Sequence, residues 1–269
     1  VTGKRRLIVC VFFASFAATL LQRGAYFFTH DVLGFSQAQN LWLALLVGIT
    51  YIIGATRSHK LAVLLGERRA LVGVLTLLAL VHALLAAFSG VLLLVLLFAT
   101  IAATQGAMWP IFESYMSAGE TPQNLGRALS KYNIGWALSV PASLALAGPL
   151  IASGKPRLLF GVAAVIYAGV ALSCLTFPKQ PVHLDAGHAA RPDEATTRSY
   201  RALLKSARFG MIGGYTLMYV LAPLMPEIMR NVGFATAAAA RASSLIDVAR
   251  LSCFVGLFVY GGWHGKKLP

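Results

Sequence analysis

Long apolar runs separated by short stretches of charge, glycine and proline make up most of this chain. Eight runs are long enough to cross a bilayer, at about 7–29, 38–56, 70–88, 91–116, 132–152, 158–177, 208–226 and 242–262. A hydrocarbon core about 30 Å thick asks for roughly 20 apolar residues per helix. The pattern therefore predicts an all-α polytopic membrane protein. Many of the runs are rich in Gly, Ala and Ser, which let helix backbones approach closely in lipid. Pro110, Pro141, Pro223 and Pro226 fall inside or at the ends of spans, where neighbouring helices can satisfy the freed carbonyls. The first run follows Lys4, Arg5 and Arg6 but continues without a small-residue cleavage site, so it reads as an uncleaved first span.

Composition sharpens this. Of 269 residues, 58% are hydrophobic and 12% charged, with a mean hydropathy of +0.71. A soluble domain of this length needs about a quarter of its residues charged. The net charge of +14 would suit nucleic acid, but its placement excludes that partner. With the amino terminus in the cytoplasm, 17 Lys and Arg fall in cytoplasmic segments and four (Lys155, Arg157, Arg230, Arg241) outside. Arg23 and Arg250 lie within spans. The expected location is the plasma membrane, in a bacterium the inner membrane, with a cytoplasmic amino terminus. The longest connection, about 178–207, carries the densest charge and reads as a cytoplasmic linker with a short surface helix at Tyr200–Arg208. It divides six spans (1–177) from two (208–269). Cys10, Cys174 and Cys253 sit inside apolar runs as packing residues, without disulfide, metal or redox spacing.

The connection after the second span reads SHKLAVLLGERRAL. It resembles the Gly- and Arg-rich turn of the major facilitator superfamily of secondary transporters, roughly G-x-L-a-D-R-x-G-R-R. Gly66, Arg68 and Arg69 fit the end of that pattern, and Leu61 and Ala62 its middle; the family's Asp falls on Val63 and its first Gly on His59. Gln105-Gly106 matches a second pattern in span four, with Ala102 where an Arg is expected, and Gly148-Pro149 loosely matches a third in span five. GRALSKYNIGWAL, from Gly126 to Leu138, also resembles the family's approach to span five. The resemblance implies a bundle of two six-helix halves with solute bound between them near mid-membrane. Here that means a complete six-helix amino-terminal half and the first two helices of the second. The terminal GGWHGKKLP places two lysines after Gly265, as Gly66-Glu-Arg-Arg places two arginines after Gly66, and reads as a weaker second copy of the same turn. The family plan would continue with about four more spans, so the chain reads as eight of twelve helices, unable to transport alone. A complete eight-span protein is the alternative.

Charged and polar residues inside spans are costly, about 2.5–3.5 kcal/mol for a charge at the helix centre, and so mark function. Arg23, with Tyr26 on the same face, is either a cavity-lining cation or an arginine pairing outward with Asp31. Gln105, Trp109 and Glu113 share one helical stripe at i, i+4, i+8. Glu113 lies near the cytoplasmic end, where it is expected to reach the Arg68/Arg69 turn as a gating or structural ion pair; proton coupling is its other reading. Asp247 and Arg250, at i, i+3, either neutralise each other or present Arg250 to solute. Tyr215 and Tyr219, and Asn133 with Trp136, complete the cavity candidates. His82 is expected to pack, and no histidines show ligand spacing, so neither a metal nor a cofactor is expected.

These residues support three function classes unequally. A monomeric secondary transporter of a small polar or anionic solute, with a coupling proton as the family implies, explains the intramembrane charges. An accessory membrane protein that kept the scaffold and lost transport would explain Val63. An enzyme finds no support: no catalytic constellation converges at one level, and no Gly-Lys-Ser/Thr phosphate loop is present.

Overall fold

The computed structural model describes residues 2–182 and 193–260. Ten helical segments form eight rods. The first rod is α1 (Thr2–Gln22) and α2 (Gly24–Asp31), followed by α3 (Gln37–Leu65), α4 (Glu67–Ala87), α5 (Val91–Ser117), α6 (Pro122–Ala152), α7 (Leu158–Cys174) and α8 (Glu194–Asn231). The last rod is α9 (Thr236–Ser243) with α10 (Leu245–Val259). Seven rods have the length and hydropathy to span a membrane, and α7 is a shorter apolar helix. Its last turn tightens to i→i−3 bonds, which carry the backbone on to Phe177.

Every expected span appears as a rod, but several helices outrun their apolar runs. Helix α3 continues to Leu65, α6 starts at Pro122, and α8 starts at Glu194. Hydropathy marks where the chain meets hydrocarbon, whereas the helical ladder stops only at a cap. At the start of α3, Ser36 Oγ accepts from Gln39 N at 3.3 Å while Ser36 N donates to Gln39 Oε1 at 2.8 Å, a reciprocal capping box. Asp193 caps α8 by accepting from Thr196 N at 2.8 Å. The separate surface helix expected at Tyr200–Arg208 is thus corrected: those residues are the first turns of one 38-residue helix. Residues 183–192 of the linker and the terminal 261–269 turn lie outside the described residues.

The first rod runs through the middle of the bundle against α5, α6 and α7, with Val11, Ala14, Ala17 and Leu20 fully buried. Helices α4 and α7 pack on each other at its back. Helices α3 and α5 run parallel and make the closest approach in the molecule. A Cβ on Gly106 would stand 2.2 Å from Tyr51 O, and one on Gly54 1.8 Å from Ala103 O. Backbone therefore meets backbone, and Ser58 Oγ donates to Ala107 O at 2.7 Å across the same seam. In lipid, where apolar surface gains nothing by leaving the solvent, such contact supplies the packing energy that larger side chains would prevent.

The two ends of the bundle differ. At the amino-terminal end, Lys4 pairs with Glu120, Arg6 Nη1 donates to Thr176 Oγ1 at 2.7 Å, and Arg68 Nη1 donates to the Leu175 and Phe177 carbonyls at 3.3 and 3.2 Å. All of these ties stay within the first six spans. At the opposite end the last two spans join the rest. Gly148 of α6 lies against α9, where a Cβ would meet Ala237 Cα at 2.8 Å, and Asp31 of α2 takes Arg230 Nη2 and Thr236 Oγ1, each at 2.6 Å. Helix α8 is buried at Ala222–Pro226 but mostly exposed from Glu194 to Val220. The last two spans thus meet the first six through α2 and the α6–α9 and α6–α10 contacts, while α8 is mostly exposed before Val220.

The α3–α5 seam makes a sharp prediction. Gly106→Val should destabilise the detergent-purified protein by at least about 1–3 kcal/mol, the range for overpacking a close-packed site. Gly73→Val, on α4 with nothing within 4 Å, should leave the thermal midpoint near its original value apart from a small propensity effect. Equal midpoints for the two variants would show that the seam is not a tight contact.

Candidate functional site

Between the first six spans and the last two lies a cavity of about 210 Å³. Helix α1 contributes Ser15, Ala18, Thr19 and Gln22, one turn apart on a single face, and Arg23 where the helix breaks into α2. Tyr51 enters from α3, Trp109 and Glu113 from α5, and Tyr132, Asn133, Trp136 and Val140 from α6. The last two spans add Tyr215, Met218, Tyr219, Ala222 and Arg250. Helices α4 and α7 contribute no lining; they brace the wall from behind.

Toward the end opposite the amino terminus, the cavity is bounded by a charge cluster. Asp247, with no exposed side-chain surface, accepts on Oδ1 from Arg23 Nη2 at 3.1 Å and pairs with Arg250 Nη2 at 2.9 Å. Two guanidinium groups therefore share one carboxylate, and both keep some exposure, 13% and 21%, toward the cavity. The Arg250 guanidinium carbon lies 4.8 Å from the Trp136 ring centre, close enough for a cation–π contact, and Nη1 donates to Met218 Sδ at 2.7 Å. Trp136 is itself fixed: its indole N–H donates to Asn133 Oδ1 at 3.0 Å, and its ring meets Phe254 edge-on at 5.7 Å. Asp247 Oδ2 and Arg250 Nε are buried without a protein partner among the described residues. Tyr215 and Tyr219 stack at 6.1 Å on α8.

Most of the sequence-selected residues converge here. Arg23, Trp109, Glu113, Asn133, Trp136, Tyr215, Tyr219 and Arg250 all line the cavity, and Asp247 lies directly behind the arginines. Four readings are decided by the geometry. Arg23 pairs with Asp247, not Asp31, whose carboxylate is held by Arg230, His30 and Thr236 at the bundle end. Tyr26 lies off the cavity: the backbone breaks at Arg23, and the Tyr26 ring lines a separate small void between α2, α3 and α5. Gln105 is fully buried, accepting from Gln22 Nε2 at 2.6 Å and donating to Tyr167 Oη at 3.0 Å, so its polar groups are satisfied within the first six spans.

Glu113 is the fourth. It faces the cavity and forms no ion pair with Arg68 or Arg69 among the described residues. Its stripe points inward, whereas the turn at Gly66 (φ 78°) folds onto the end of α7, where Arg68 holds the Leu175 and Phe177 carbonyls. Arg69 is exposed. Gly66 and Arg68 therefore brace the first six spans, and among the described residues no contact joins them or Arg69 to the last two. His82 packs as expected, buried with Nδ1 2.7 Å from Leu78 O and its ring 5.1 Å from that of Tyr167. Ser15, Thr19, Tyr51, Tyr132 and Met218 were not selected from the sequence; the Ser15–Thr19–Gln22 face of α1 was the readable signal. Among the described residues no His, Cys, Asp and Glu group is arranged to hold a metal.

The fold is similar to that of solved transporters. A bacterial homologue of the human lysosomal transporter Spinster, in an inward-facing and unoccupied conformation, aligns at a TM-score of 0.71 and 17% identity, over 98% of this chain and 63% of that one. A mutant peptide transporter of the POT type in complex with sulfate aligns at 0.57 and 21%, over 96% of this chain and 51% of that one. This chain thus spans less than two thirds of either structure. Comparison with curated protein sequences gives no significant match. The sequence model of the Major Facilitator Superfamily, however, matches residues 7–269, and the chain belongs to that superfamily.

Proposed function

We propose that this chain carries the solute site of a secondary transporter that moves a small polar or anionic solute by alternating access, as a monomer with its amino terminus in the cytoplasm. One observation carries the reading: Arg23 and Arg250, from opposite sides of the interface, are held by a buried carboxylate and face a cavity within the membrane. A buried charge pair kept only for packing would tend to be neutral or unfavourable compared with apolar residues of similar volume, so a net cationic cluster facing a cavity is best explained by what it binds. The exposure of α8 from Glu194 to Val220 fits a conformation open to the cytoplasm. In the other conformation the Asp31–Arg230 and Arg23–Asp247 contacts would part and contacts at the cytoplasmic end would form. Glu113, without an arginine partner, is the cavity carboxylate available to carry a coupling proton. The accessory reading rests on Val63 in place of the family Asp; it predicts a cavity that responds to no solute.

Two tests follow. Asp247→Ala leaves two buried guanidinium groups without their anion and should cost about 3–5 kcal/mol of stability. Arg23→Met keeps the Asp247–Arg250 pair, should cost less, and should weaken solute affinity, read by solute-dependent thermal stabilisation, at least about tenfold. Unchanged solute affinity in Arg23→Met would remove Arg23 from the site. For orientation, in a background lacking native cysteines, Lys155→Cys should react with an impermeant maleimide in intact cells and Arg69→Cys only after lysis. The reverse pattern would invert the topology.

A further inference from the structure

The charges facing the cavity are not all at one level. Gln105 of α5 is hydrogen-bonded to Gln22 of α1 and so marks the Arg23 level on α5. Glu113 lies eight residues farther along α5, about 12 Å down the axis at 1.5 Å per residue. Helical side chains lean toward the amino-terminal end of their own helix. Helices α1 and α5 run in opposite directions, so Arg23 and Glu113 lean toward each other across the cavity, yet no ion pair within 4.0 Å joins Glu113 to an arginine. Trp109 stands one turn from each level, between them on the α5 wall.

The charge balance at the two levels is opposite. Arg23 and Arg250 share the single anion Asp247, which leaves one positive charge in excess at their level. Glu113 leaves one negative charge at the other, and among the described residues the lining holds no further ionisable acid or base of the Asp, Glu, Lys, Arg or His type. A monoanion bound here would cover the arginines and leave the Glu113 charge without a partner; a monocation would do the reverse. In the low-dielectric interior of a bundle either imbalance is expensive. The described residues line about 210 Å³, room for a small molecule.

We propose that the cavity recognises a small extended dipolar solute, with its carboxylate on the Arg23–Arg250 pair, its ammonium on Glu113, and its connecting chain against Trp109 and Trp136. The assignment rests on the transporter reading above and deepens it. The separation of the levels favours charges at opposite ends of a short chain over the adjacent charges of an α-amino acid.

Thermal stabilisation of the purified chain by 5-aminopentanoate, pentanoate, pentylamine and glycine tests this, with Glu113→Gln as the variant and Arg69→Gln, outside the cavity, as control. 5-Aminopentanoate should bind about tenfold tighter than each of the other three. Glu113→Gln should abolish that advantage over pentanoate while leaving pentanoate binding intact; Arg69→Gln should preserve it. Equal or tighter binding of pentanoate, or an advantage that survives Glu113→Gln, would overturn the dipolar assignment and leave an anion site. Pentanoate binding that strengthens at acid pH and loses this dependence in Glu113→Gln would replace the dipolar solute by an anion carried with a proton. No response to any probe by a cooperatively folded protein would overturn both the assignment and the solute-site reading.

Discussion

The carboxylate of Asp247 is the interaction on which the arrangement of the last two spans depends. Removing a charge from water costs several kcal/mol even after relaxation, and this one has no exposed surface. It is tolerable only because two guanidinium groups reach it, one from the break between α1 and α2 and one from a turn below on α10. The same atoms that solve this electrostatic problem tie the last rod to the first. Around them the interface is made of small side chains, Gly148 against Ala237 and Ala240, so the helices come close enough for the arginines to reach. Electrostatics and packing are here one constraint: bulkier residues at the α6–α9 contact would draw Arg23 away from its anion.

Behind that interface the first six spans are built for rigidity. The α3–α5 seam joins backbone to backbone, α7 buttresses the first rod with α4 packed on α7, and Arg68 ties the turn between α3 and α4 to the end of α7. Gln22, Gln105 and Tyr167 form a chain of hydrogen bonds that crosses this body from the cavity wall at Gln22 to α7. Polar residues in lipid therefore divide into two uses: some staple helices of one body together, and others are exposed where the bodies meet.

That division limits what the sequence could reveal. The number and order of rods followed directly from hydropathy, because lipid forces each apolar run into a helix. The Trp109–Glu113 stripe was legible from spacing alone, and so was the Asp247–Arg250 pair, since both are fixed by a single helix. Gln105 lies on the same stripe as Trp109, but whether it faces a cavity or a neighbour depends on Gln22 and Tyr167, which are 83 and 62 positions away. The Arg23–Asp247 contact, 224 positions apart, was inaccessible for the same reason, and Asp31 entered as one alternative only because it was near in sequence. Tyr26 was misplaced because the break at Arg23 interrupts the helical spacing on which the inference relied.

Helix α8 has one consequence of a mechanical kind. It is anchored near Ala222–Pro226 and then continues unbroken to Glu194, mostly exposed along the way. From Pro226 to Glu194 is about 48 Å at 1.5 Å per residue, so a tilt of about 10° at the anchor would carry the far end through roughly 8 Å. Small rearrangements around the buried carboxylate would thus be amplified into a displacement as wide as a side chain at the other face of the bundle. A helix of this length is a lever, with its fulcrum set beside the charges that a bound solute would disturb.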